Sequence, residues 1–278
     1  MACIIRNMDM AEMEIAAHLA YKEGWNPGNA DGWAFYKADP KGFFIAEIDS
    51  RVVGCISAVK YSNEFGFIGF YVVEPEYRGT TAGTQLALAA LNYLEGCNIG
   101  IDGVLDKVEN YERIGFKRAY KNSRFEGIGN NFRTSENLVF MDNIDKQLIY
   151  KYDLKCFPAE RHNFIDAWLE MPNIHAYAHY KNGKLGGWGV IRPCRKGFKI
   201  GPLFADSFAI ADNIYKALAT HAVDELIYID IPEKNDFAVQ LASKHDMRLV
   251  FETVRMYSKK EPDIDLQKVF GVTSFELG

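Results

Sequence analysis

The sequence has no run of lysines and arginines, no apolar stretch long enough to cross a bilayer, and no closely paired cysteines. Each absence closes off a class of function. The formal net charge is −5 with basic residues scattered, so the electrostatic footprint of a nucleic-acid binder is missing and no such partner is expected. The most apolar run, "LALAAL" at 86–91, falls far short of the roughly 18 residues that mark a membrane helix. The opening "MACIIRNMDMAEME" carries acids where a leader peptide would be apolar. No membrane partner is therefore expected. The five cysteines, Cys3, Cys55, Cys97, Cys156 and Cys194, are odd in number and widely spread, as free thiols of a reducing, cytoplasmic compartment would be. No histidine or cysteine pair with ligand spacing stands beside a second such pair, so no metal is expected. His175 and His179 are close, but they fall in an alternating, strand-like stretch.

What is present is ordinary globular material. Hydrophobic residues make up 48% and charged residues 25% of 278, enough for two domains at ~100–200 residues each. The acidic balance suits a cationic or amine substrate.

Periodicity gives the elements of the first half. A helix at 12–24, with Ile15, His18 and Leu19 on one face, stops at Gly24, and a turn-rich loop follows at 25–33. Runs at 42–48 and 51–61, separated by Asp49 and Ser50, read as a hairpin, and 64–73 as a third strand. A helix at 84–96 carries Leu86, Ala90, Tyr93 and Leu94 on one face. A strand at 98–102, a helix at 105–116 and a strand at 117–125 complete the set. The crossover from 64 to 96 predicts parallel pairing of strands 64–73 and 98–102.

Between the third strand and its helix lies "EPEYRGTTAGTQL" at 74–86. The first turn of a helix has unpaired N–H groups and partial positive charge, so a phosphate placed there collects several hydrogen bonds. Arg78 adds charge beside such an anion, Gly79, Ala82 and Gly83 let the backbone approach, and Thr80, Thr81 and Thr84 add hydroxyls. The pattern alone equally describes a plain loop with a threonine cap. Its setting, a continuous strand before and an amphipathic helix after, favours the anion. It lacks the Gly-Lys-Ser/Thr of a P-loop and the position of a dinucleotide fingerprint.

"VVEPEYRGTTAGTQL" resembles the acyl-CoA-binding motif of the GNAT superfamily of N-acetyltransferases, Q/R-x-x-G-x-G/A. Arg78 matches its first position and Gly83 its last, while Thr81 replaces the middle glycine. The resemblance implies that residues 78–84 hold the diphosphate of acetyl-CoA, with Thr81 altering the affinity. "NYERIGF" at 110–116 resembles the family's L-Y-E-K-x-G-F segment. It implies that Tyr111 protonates the departing thiolate, a role that suits a phenol of pKa ~10. Read by itself, Tyr111 would be a half-buried core tyrosine. The same resemblance implies that the strand ending at Val73 splays from its neighbour. Backbone of Tyr71 and Val73 would then hold the pantetheine arm and thioester carbonyl, and Asn110 would touch the coenzyme. The 24–33 loop covers the acceptor in such folds, which makes Glu23, Trp25 and Asp31 candidates for the acceptor pocket. They are equally explained as surface and turn residues. No carboxylate lies mid-strand in 64–73 to act as base, since Glu64 and Glu74 sit at its ends, so a water relay or an acid from the 24–33 loop is expected to take the acceptor's proton.

The second half reads as a faded copy. After a polar segment at 126–140 come helices at 144–157 and 159–171, a hairpin of 175–180 and 184–193, a strand at 198–205 and a helix at 207–222. A strand at 226–231, a helix at 234–245 and a strand at 248–257 follow. Asn235, Ala238 and Leu241 match the family's N-x-x-A-x-x-L helix, but Ala242 stands where the tyrosine would be. The phosphate loop is reduced to "ADS" at 205–207, where Asp206 and Ser207 are expected to cap the helix themselves. The whole chain, including "GPLFAD" and "FGVTSFELG", resembles tandem-GNAT proteins of the YitH-like type. That implies two α/β domains, each a mixed sheet flanked by helices. Residues 1–135 would be catalytic and 136–278 would lack a pyrophosphate loop. The expected activity is acetyl transfer from acetyl-CoA to a primary amine of a small molecule, or of a protein lysine. An acyl-CoA-binding sensor without turnover is the alternative, and a homodimer is compatible with either.

Overall fold

The computed structural model describes residues 3–134 and 137–278, so the expected domain boundary at 135/136 lies outside the described residues. The first half runs β1 (Cys3–Asn7), α1 (Met13–Lys22), α2 (Asp31–Ala38), β2 (Phe43–Ile48), β3 (Arg51–Lys60), β4 (Phe65–Val73), α3 (Thr81–Tyr93), β5 (Asn98–Val104), α4 (Val108–Arg113) and β6 (Lys117–Ile128). The second runs β7 (Leu138–Phe140), α5 (Lys146–Cys156), α6 (His162–Glu170), β8 (His175–Lys181), β9 (Lys184–Pro193), β10 (Phe198–Ala205), α7 (Phe208–Ala219), β11 (Leu226–Pro232), α8 (Asp236–Lys244) and β12 (Arg248–Tyr257). The two lists match element for element. A short β13 (Val269–Gly271) is added at the end.

Three local expectations are corrected. β1 is a strand that the sequence reading leaves out. α2 starts inside the stretch read as loop, because Ala34 and Phe35 bury one helical face and Phe35 stacks on Trp168 of α6 at 5.8 Å. β6 continues to Ile128, into the segment read as a connector, where Glu126 accepts from Tyr228 and Arg248.

The strands form one mixed 13-stranded sheet in the order β1-β2-β3-β4-β5-β12-β6-β11-β10-β9-β8-β7, with β13 on β10. The halves exchange their last strands: β12 lies antiparallel between β5 and β6, and β6 in turn lies antiparallel to β11. Two buried ion pairs hold the exchange at matching register. Asp102 of β5 faces Arg255 of β12, and Asp230 of β11 faces Arg124 of β6. On one face α1, α2, α5 and α6 share a single core with Val272, Phe275 and Leu277. On the other, α3 covers the first half and α7 with α8 the second.

The 272–278 segment crosses the shared face close to two strands. A Cβ on Gly201 would stand 2.6 Å from the Thr273 carbonyl oxygen, and one on Gly69 only 1.9 Å from that of Glu276. Only glycine allows this approach.

Candidate active site

β4 and β5 pair in parallel from Phe65↔Asn98 to Ile68↔Ile101 and then part. Beyond that point Asp102 and Gly103 keep their β12 partners on the opposite edge of β5 and have none on β4. β4 bulges at the same place. Ser57↔Gly69 and Cys55↔Val72 leave Phe70 and Tyr71 together opposite Ile56. A bulge takes backbone out of the ladder and sharpens the local twist. Phe70 sits at φ 45°, a left-handed conformation that a bulky residue keeps only where its surroundings enforce it. Its ring is buried edge-on against Phe35 at 5.7 Å, and its carbonyl accepts from the Cys55 thiol at 3.2 Å. The Gly69 N–H donates to Ser57 Oγ at 3.1 Å.

The loop beyond β4 delivers the N-terminus of α3 to this gap. Thr80 caps the helix, its hydroxyl donating to the Tyr77 carbonyl at 2.7 Å and accepting from the Ala82 N–H at 3.3 Å. Gly79 (φ 80°), Thr80, Thr81 and Thr84 are exposed, and Ala82 is buried. Tyr71 Oη donates to the Gly83 carbonyl at 2.9 Å, and a Cβ on Gly83 would lie 3.1 Å from that hydroxyl. Arg78 Nε donates to the Val73 carbonyl at 2.9 Å, fixing the loop to the strand end. The Arg78 Nη2 pairs with Glu23, the C-cap residue that follows α1. Glu23 thus meets the loop directly.

On the β5 side of the gap stands Tyr111 of α4. Its ring covers Gly103, where a Cβ would meet ring carbons at 3.0 and 3.1 Å, and meets Phe116 edge-on at 6.3 Å. No described residue hydrogen-bonds its hydroxyl. Burial pushes the phenol up to about 12, with a smaller contribution from Tyr71. Two tyrosines therefore flank the parted strands. Asn110 is exposed and accepts from Arg113 at 3.3 Å.

The remaining candidates lie on the shared face. Trp25 presents its carbonyl to Arg124 Nη1 at 2.5 Å and to Lys199 Nζ at 3.5 Å. Asp31 is 1% exposed, and its two oxygens accept from Arg192 at 2.7 and 3.1 Å and from the Gly28 N–H at 2.8 Å. It ties α2 to β9. Five charged residues that the sequence reading passes over, Arg124, Arg192, Lys199, Asp230 and Glu276, are buried beside them. The available signal was a single charge inside an apolar strand, as in "FKIGPLF" or "LIYIDI".

The second half repeats the parting and then closes it. β10 and β11 separate after Ile200↔Ile229, and the β9–β10 ladder shifts between Ile200 and Leu203. Pro202 supplies no N–H there. β13 pairs with β10 at Leu203↔Gly271, and the Val272 N–H donates to the Asp230 carbonyl of β11 at 2.8 Å, so the chain itself fills the gap. Ser207 caps α7, as expected. The Asp206 carboxylate turns away from that cap to accept from Tyr152 Oη at 2.9 Å, with Lys268 Nζ at 3.6 Å. Ala242 is fully buried.

Residues 9–116 match the acetyltransferase (GNAT) family, and residues 149–271 match an acetyltransferase (GNAT) domain. A holothin acyltransferase from Pseudoalteromonas sp. is 30% identical over 273 residues, which covers 97% of this chain and 92% of that protein. A proposed acetyltransferase from Pyrococcus horikoshii superposes with a TM-score of 0.85 at 20% identity, over 99% of this chain and 96% of that one. A tandem GNAT protein from the clavulanic acid biosynthesis pathway superposes with a TM-score of 0.64 at 13% identity, over 92% and 98%.

Proposed function

Because the chain belongs to the GNAT acyltransferases, with a tandem pair of GNAT domains, we propose that it moves an acetyl group from acetyl-CoA to a primary amine of a small molecule. The observation that carries this reading is the parting of β4 from β5 beside the open N-terminus of α3, with Tyr71 and Tyr111 on either side. Acetyl-CoA, as donor substrate, supplies the activated acyl group. The α3 amides and Arg78 bind its diphosphate, with Thr81 contributing a hydroxyl where a glycine would leave bare backbone. Backbone of Tyr71 and Val73 lines the gap for the pantetheine arm, and an N–H of the bulge polarises the thioester carbonyl. Tyr111 gives its proton to the departing thiolate.

In this reading one chain binds one donor. Residues 1–135 carry the donor site. Residues 136–278 carry none, a view supported by β13 in the corresponding gap and by Asp206 at the corresponding loop. The test is release of free CoA from acetyl-CoA across a panel of primary amines, run on the wild type and on Tyr111→Phe. Turnover with at least one amine that falls sharply in the variant supports transfer. Acetyl-CoA binding with no turnover for any amine or lysine peptide replaces it with a sensor.

A further inference from the structure

Glu276 is 2% exposed, and neither of its carboxylate oxygens has a hydrogen-bond partner among the described residues. A buried carboxylate left in that state is strongly unfavourable. Its neighbours are already engaged. Arg124 is held by Asp230 at 2.6 and 2.8 Å, and Arg192 by Asp31 at 2.7 and 3.1 Å. Lys199 Nζ reaches only the Trp25 carbonyl, at 3.5 Å. The main chain of Glu276 presses on Gly69, the residue that opens the β4 bulge where β4 and β5 part. An unsatisfied acid thus stands beside the β4 bulge on the face shared by α1, α2, α5 and α6, brought there by a segment 207 residues from Gly69 in sequence.

We propose that Glu276 is the base that takes the proton of the acceptor amine. A compact primary amine arriving as its ammonium ion would then present its nitrogen to this carboxylate, beside Lys199, which reaches the Trp25 carbonyl. The proposal rests on the acetyl-transfer reading above. The ammonium gives one proton to Glu276. The freed lone pair forms the C–N bond as the C–S bond breaks, and the thiolate takes the Tyr111 proton. Tyr111 recovers a proton from the new amide nitrogen, and the proton on Glu276 leaves to water. Burial raises the Glu276 pKa against the opposing pull of Lys199 and Arg124, with Asp31 and Asp230 adding to the rise. Such a shift moves a carboxyl toward the range in which a base works near neutral pH.

Glu276→Gln keeps the shape and removes the base. The expected result is a loss of kcat of about 100-fold or more. The affinity for acetyl-CoA, measured by calorimetry, should be unchanged. The acid limb of the kcat/KM profile for the amine should disappear. Glu276→Asp should retain that limb with reduced kcat, and it serves if the glutamine variant melts early. Glu276→Gln within twofold of wild type, or equal activity of the Gln and Asp variants, overturns the proposal while transfer stands. Loss of acetyl-CoA affinity together with kcat in both variants overturns it in favour of a packing role. No turnover by the wild type with any amine instead removes the transfer reading.

Discussion

Arg255 of β12 grips Asp102 of β5 through two hydrogen bonds, at 3.0 and 2.7 Å, with both side chains almost wholly buried. Asn122 of β6 also donates to Asp102, at 2.7 Å, so three strands from the two halves meet on one carboxylate. Removing one member of a buried pair leaves the other charge stranded, at a cost of about 3–5 kcal/mol. Arg255→Ala should therefore lower the urea midpoint by a corresponding amount. Because β12 is shared, fluorescence and circular dichroism should lose both halves in one transition. Two separated transitions would show that the halves unfold independently.

Arg78→Glu reverses the charge at the α3 N-terminus and sets two acids, the new one and Glu23, against each other. Hydrogen bonds to charged groups are worth about 1.5–3 kcal/mol, so KM for acetyl-CoA should rise about 10- to 100-fold. Steady-state kinetics with unchanged acetyl-CoA parameters would mean that the diphosphate sits elsewhere.

Tyr111→Phe should lower kcat by about 100-fold or more, the range for a lost general acid. The pH dependence follows from the direction of its shift. Burial pushes the Tyr111 phenol up to about 12, so the proton-bearing form persists below that pH and is lost only as pH rises through it. The kcat profile of the wild type should therefore show no alkaline fall due to Tyr111 between pH 7 and 10. A fall near pH 9 that vanishes in the phenylalanine variant would contradict this.

Gly69→Ala would place a Cβ 1.9 Å from the Glu276 carbonyl oxygen, inside any permitted contact. Either β4 or the 272–278 segment must move, at a cost of about 1–3 kcal/mol. The expected result is a lower melting temperature and a larger loss in kcat than in acetyl-CoA affinity. An alanine variant with unaltered melting and kcat would show that the contact is dispensable.

Much of the fold is legible because its signals are local. The crossover from β4 through α3 to β5 follows from a strand, a glycine-bearing loop and an amphipathic helix in succession, and its parallel pairing is observed. β12 runs over the same residues that alternation assigns to it, 248–257. Where β12 goes is not local. Nothing near Arg255 says that it will pair with Asp102 rather than with its own half. α2 is hidden for the same reason: its apolar face is completed by Trp168, from the other half. At the candidate site, Arg78, Gly83 and Tyr111 belong to contiguous motifs, which is why the sequence offers them as candidates. Asp31 stands out in the sequence only as an acid in a turn-rich stretch, and its ion pair could not be read there, because Arg192 lies 161 residues away. Glu276 lies inside "FGVTSFELG", but nothing in that segment marks it for chemistry; its unpartnered buried carboxylate and its packing against Gly69 single it out.

The strand exchange also sets an order of events during synthesis. Asp102 and Arg255 are 153 residues apart, roughly 8 to 30 s of translation at about 5–20 residues per second. Through that interval the newly made β5 has a bare hydrogen-bonding edge, the kind that invites pairing with another chain. A gene broken between the halves would yield two fragments, each missing the strand that closes its sheet. Such fragments should regain a complete sheet only when produced together.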